Sequence, residues 1–140
     1  MIVLEIPTAP PSRNQLDKMH WAARARLATV FKREVAQFSP SMMRAVVLET
    51  RGKYGRAKSL GFVLKNRAKG HRFVRIVRRG PRTLDADNLS GGCKSLVDAL
   101  KFVGLIEDDT PGLVTVTYAQ ERGTGCRVEV RVAQDEREVA

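Results

Sequence analysis

Hydrophobic residues recur along this chain with two periods, and the switches between them mark out strands and helices. Ile2 to Ile6 alternates and is rich in β-branched residues, which predicts a first strand. Pro7, Pro10, Pro11 and Ser12 end it, because proline offers no N–H to a ladder. From about His20 to Phe38, Trp21, Leu27, Phe31, Val35 and Phe38 return near helical spacing, while Arg24, Arg26, Lys32 and Arg33 fall mostly elsewhere. That predicts an amphipathic helix with a basic outer side, stopped at Ser39-Pro40. Arg44 to Arg51 predicts a second strand. Gly52 to Gly70 is ambiguous: a short strand or helix around Leu60 to Leu64, or a mobile basic loop.

Arg72 to Arg78 predicts another strand with Arg75 outward, broken by Gly80-Pro81. Leu89 to about Phe102 predicts a helix with Leu89, Cys93, Leu96, Val97 and Leu100 as its buried stripe. Gly91 and Gly92 lie in its first turns, each at a cost of about 1 kcal/mol relative to alanine. They imply either a frayed start or a close approach by other backbone. Leu113 to Ala119 and Cys126 to Val132 flank Glu121–Gly125 and predict a hairpin. Residues 133–140 form a polar tail expected to fray. Strands and helices alternate irregularly without repeats. This predicts a single α+β domain over 1–140: a mixed sheet with two main helices packed on it.

Charge changes the picture. The 140 residues carry a formal charge of +10, with 43% hydrophobic and 29% charged residues. From Arg51 to Arg82 there are twelve Arg and Lys and no acid. Such a surface repels itself unless something anionic binds it. No amphipathic helix sets these bases opposite an apolar face, which disfavours a membrane partner, and no apolar run reaches the roughly 20 residues of a membrane helix. Nucleic acid is the expected partner, with Arg24, Lys32, Arg67, Lys69, Arg72, Arg75, Arg78, Arg79 and Arg82 as candidate phosphate contacts. The start of the chain has no basic segment and carries Glu5, unlike a secretory signal. Cys93 and Cys126 read as free thiols of a reducing cytoplasm. His20 and His71 stand alone and there is no Cys-x-x-Cys, which argues against zinc.

Directly after the basic stretch, Asp85, Asp87, Asp98, Asp108 and Asp109 fall within 25 residues, with Lys94 among them. Clustered like charges must be kept apart by solvent, protonated, or bridged by a cation. If the chain is still extended at Asp85 and Asp87, both side chains point the same way, with Asn88 opening the helix. Lys94 follows Asp87 by about two helical turns, and Gly104 would let the chain double back to bring in Asp108 or Asp109. Each acid also has a plain structural use. Asp87 or Asn88 can cap the helix, Lys94 and Asp98 can form an exposed i,i+4 pair, and Asp108-Asp109-Thr-Pro-Gly can be a turn.

These residues also carry a resemblance. Asp85-x-Asp87-Asn88-Leu89, then Lys94, Asp98-x-Leu100 and Asp108-Asp109 resemble the signature of the RusA family of Holliday-junction resolvases. Pro10-Pro11-Ser12-x-Asn14 is similar to the element phage-type members carry after their first strand. The matching motifs cover about 40 residues. In the family's shorter motif the lysine follows the second aspartate more closely; here Ser90-Gly-Gly-Cys93 fills the gap. The resemblance implies a homodimeric, Mg²⁺-dependent endonuclease, with Mn²⁺ able to substitute, that resolves four-way DNA junctions in the cytoplasm of a bacterium or phage-infected host. By position it implies Asp85, Asp87 and Asp109 as essential carboxylates and Lys94 as the essential base, with Asp108 a further metal ligand. Two other readings stand beside it: a non-catalytic nucleic-acid-binding protein, and a Mg²⁺-dependent nuclease acting on flaps or other branched DNA or RNA.

Overall fold

A computed structural model of the protein describes residues 1–39, 44–51, 57–64 and 67–134, the pieces at 44–51 and 57–64 as backbone. In chain order the elements are β1 (Ile2–Ile6), α1 (Arg13–Lys18), α2 (Trp21–Phe38), β2 (Arg44–Arg51), β3 (Ala57–Leu64), β4 (Arg72–Arg79), α3 (Ala86–Gly92), α4 (Lys94–Val103), β5 (Val114–Glu121) and β6 (Cys126–Val132). The fold is α+β. Four strands form a mixed sheet in the order β1-β6-β4-β5, and β2 and β3 form a separate antiparallel pair. The ambiguous stretch around Leu60 is therefore strand. The side chains of Arg51 and Lys58, and Lys53, Arg56 and Lys65, lie outside the described residues, as does the tail from residue 135.

One face of the sheet holds the core. Leu4 and Ile6, Val74 and Ile76, and Val128 and Val130 are all buried there. Phe31 and Val35 of α2 and Leu96, Leu100 and Val103 of α4 pack onto them. The stripe expected from Leu89 through Cys93, Leu96 and Val97 to Leu100 is buried throughout. At the other end of the expected α2 stripe, Trp21 is 75% exposed.

The opposite sheet face is polar and pairs charge across strands. Arg75 lies directly opposite Glu129, Arg79 opposite Glu121, and Arg127 opposite Glu5. Ion pairs join each couple, and Arg79 also reaches Glu5. Facing opposite charges favour this register.

β5 and β6 are not a hairpin. β4 lies between them, parallel to β5 and antiparallel to β6. The parallel pair needs a long crossover, which α3 and α4 supply. Residues 122–125 then span two strand spacings, roughly 10 Å, rather than one. They cross the end of β4, where Arg79 N donates to Gly125 O and Gly80 N to Glu121 O. Positive φ at Gly123 and Gly125 allows that path.

Candidate active site

Asp85 ends an extended segment and caps α3; the helix opens at Ala86, not at Asn88. Its carboxylate accepts from Asn88 N and from Asn88 Nδ2, both at 2.9 Å. Those bonds hold the Asp85 carboxyl below its usual range, because they stabilise the charged form. Asp87 therefore sits in the first helical turn and does not share an extended face with Asp85. The segment before the cap is fixed by Gln120, whose side-chain amide accepts from Leu84 N at 2.8 Å and donates to Leu84 O at 2.6 Å.

The proline element packs on this corner. Ser12 caps α1 in a capping box with Gln15. Asn14 N donates to Asn88 Oδ1 at 3.2 Å, so the two motifs meet through one hydrogen bond. Gly91 and Gly92 are the contact surface. A Cβ on Gly92 would fall on the Pro11 carbonyl oxygen, and one on Gly91 would come within 2.6 Å of Arg13 Cδ. Of the two expectations for these glycines, close backbone approach is the one realised.

The helix does not run on from Asp87 to Lys94. Cys93, with φ −86° and ψ 0°, closes α3 and opens α4. Lys94 begins α4 and lies 3.8 Å from Asp98. Gly104, at φ 102°, ends α4 and turns the chain back as expected. Lys101 Nζ then meets Asp108 at 2.8 Å and Asp109 at 3.9 Å. The Lys101 ammonium lowers the Asp108 pKa, and Asp108 in turn raises that of Lys101.

An open cleft of about 530 Å³ lies between α1, α3, α4 and β5. Lys94, Asp98 and Asp109 line it together with Asp17, Arg13 and Arg24. Ser90 and Gly91 form part of its wall, and Asp87 precedes them by three and four residues, on the same side of α3. Asp85 is held in its cap, and Asp108 faces Lys101. Among the described residues, no three His, Cys, Asp or Glu side chains are placed to hold a metal ion together. The expected set of Asp85, Asp87 and Asp109 is thus not a ready-made cage. The donor chemistry suits a hard cation that keeps most of its waters, since Mg²⁺ takes one or two carboxylates plus phosphate oxygens.

The expected basic contacts divide. Arg24 rims the cleft, with its Nε donating to Leu16 O. Arg78 is not available as a phosphate contact: it is 9% exposed and its Nε donates to Pro10 O at 2.7 Å, so it ties the proline segment to the sheet. Arg75 and Arg79 lie on the far sheet face in ion pairs. Arg67 caps α4 through the Lys101 and Phe102 carbonyls, Arg72 bonds Lys69 O, and Lys32 lies over the Phe102 ring. Lys69 and Arg82 are exposed. Sequence patterning missed Arg13, Asp17, Lys101 and Gln120. Lys101 follows Lys94 by seven residues on one helix face, a usable signal; Gln120 left none. No family model matches the chain, and no curated protein or solved structure is significantly similar to it. Among the described residues, no helix is long and apolar enough to cross a membrane.

Proposed function

We propose that the protein is a Mg²⁺-dependent, structure-selective endodeoxyribonuclease of the RusA type, acting as a homodimer on four-way junctions. The observation that carries this reading is the cleft lined by Lys94, Asp98 and Asp109 together with Arg13 and Arg24. Acids that attract a cation next to bases that attract phosphate suit phosphodiester hydrolysis. Asp109 and Asp87 would hold the metal, with Asp85 fixing the turn that presents Asp87. When bound, the metal would polarise a phosphate and acidify a water. Lys94 would offset charge developing on the phosphate. Arg13 and Arg24 would hold the flanking phosphates, giving affinity that falls steeply with salt.

A non-catalytic nucleic-acid-binding protein is favoured by a different observation. Asp85 is a helix cap, Asp98 pairs with Lys94, and Asp108 pairs with Lys101. One experiment separates the two. Purified protein is incubated with a four-way junction, a flap and a linear duplex, in Mg²⁺ and in EDTA. The expected result is paired nicks in the junction alone, lost in EDTA and in Asp87→Asn, with binding retained by the variant. Binding without cleavage under any divalent metal sinks the enzyme. Cutting of flaps or duplex keeps the nuclease and removes junction selectivity.

A further inference from the structure

The first turns of α2 lie outside the core. Counting back from the buried Phe31 in helical steps gives Ala28, Arg24 and Trp21 on one stripe. Phe31 is fully buried, Arg24 lines the cleft, and Trp21 is 75% exposed. The stripe buried at Phe31 thus continues to the cleft at Arg24 and ends on an exposed indole. The ring has support on one side: the His20 ring lies 5.4 Å away, tilted by 38°. His20 is itself fixed, because it caps α2 by accepting from Ala22 N.

An exposed indole among charged side chains offers a π-face beside polar groups. Here bases and acids are mixed, with Arg13, Arg24 and Lys94 beside Asp17, Asp98 and Asp109, on a chain whose net charge is +10. Arg24 is one turn away on the same stripe, and Arg13 and Lys94 line the same cleft. An apolar protein partner would have to desolvate these bases. A nucleic-acid strand would use them: phosphates lie along the bases, and an unpaired base has a π-face for the indole. Two-faced stacking needs no hydrogen-bond pattern, so any base would serve.

We propose that Trp21 is a stacking platform for an unpaired nucleobase, on a strand whose phosphates follow Arg24 and Arg13 into the cleft. This rests on the reading that the partner is nucleic acid, and is independent of whether the strand is cut. It makes unstacked bases, as at a branch point or a single-stranded segment, the preferred ligand over a perfect duplex.

Trp21 is the sole tryptophan, so its emission reports directly on the site. The protein is titrated with oligothymidylate, with a blunt hairpin duplex and with inorganic polyphosphate, which has charge but no bases. Binding is followed separately by anisotropy of labelled DNA and by competition. Oligothymidylate is expected to quench the emission, and polyphosphate to bind without quenching. Trp21→Ala should weaken oligothymidylate binding about tenfold (about 1.4 kcal/mol) and leave polyphosphate competition unchanged, with Trp21→Phe restoring most of the loss. Matching melting curves check that the variants fold. DNA binding with no quench and no effect of Trp21→Ala overturns the platform and leaves the proposed function standing. Equal quenching by polyphosphate also overturns it, as does a quench that depends on protein concentration alone, which would assign the ring to self-association. Failure to bind any nucleic acid overturns both proposals.

Discussion

Gly92 approaches Pro11 so closely that any side chain on it would meet the Pro11 carbonyl oxygen. The two residues join the extended proline segment after β1 to the helix that carries Asp87. Pro10 O on that segment also takes Arg78 Nε, and Asn14 just beyond it donates to Asn88. The glycine pair is therefore the seat on which two distant motifs meet, and its helix-propensity cost has a packing reason.

Gly92→Ala should be destabilising by about 1–3 kcal/mol or more, because backbone rather than a flexible side chain must move. Gly91→Ala meets Arg13 Cδ, Cγ and Cβ at 2.6, 2.9 and 3.0 Å, so α1 must give slightly, while alanine gains about 1 kcal/mol of helix propensity. Its net effect should lie close to zero. Urea unfolding of both variants tests the contrast; equal losses would place the strain elsewhere.

Gln120→Leu removes both bonds to the Leu84 backbone and leaves a part-buried N–H and C=O without partners. The expected loss is about 1–3 kcal/mol. Amide exchange at Leu84 and Asp85 should rise more than in the core strand β4. If exchange rises uniformly, Gln120 supports global stability and does not specifically fix the turn that carries Asp85.

Much of the fold was legible because burial follows period. Leu89, Cys93, Leu96, Val97 and Leu100 could be placed inside from spacing alone, and Arg75 outside. Period does not say which strands are neighbours, so the place of β4 between β5 and β6 is not legible from it. Nor does it say which turns of a helix meet the core, so the exposure of Trp21 is not legible from spacing. α1 has six residues, too few for a periodic signal, although Ser12-x-x-Gln15 is a capping-box pattern. In the site, the acids and Lys94 could be singled out, but their partners could not. Asp85 turned from extended strand to cap because Asn88 supplies two donors to it. Lys101 reaches Asp108 only because Gly104 reverses the chain.

The two thiols should make stability fall in alkaline solution. Burial pushes Cys93 and Cys126 up to about 12 from 9.0. The folded state holds these protons more tightly than the unfolded state does. Their contribution is therefore complete below about pH 9 and is lost as pH rises from there toward 12, by about 1.4 kcal/mol per pH unit for each thiol. Unfolding free energy against pH should fall less steeply for Cys93→Ala/Cys126→Ala. In the native protein at mild alkaline pH, a thiol reagent should label both cysteines no faster than the chain opens.

Arg78 and Arg24 should separate stability from nucleic-acid affinity. Arg78→Met removes a charge-assisted bond to Pro10 O in a buried setting, at a cost of about 1.5–3 kcal/mol. DNA binding measured well below its melting temperature should keep its salt dependence. Arg24→Ala touches an exposed side chain whose Asp17 contact is 3.9 Å, so stability should change by no more than about 1 kcal/mol. If Arg24 holds a phosphate, log K against log salt should lose close to one unit of slope. A slope lost in Arg78→Met and kept in Arg24→Ala would move the phosphate path away from the cleft and onto the sheet end beside Gly80.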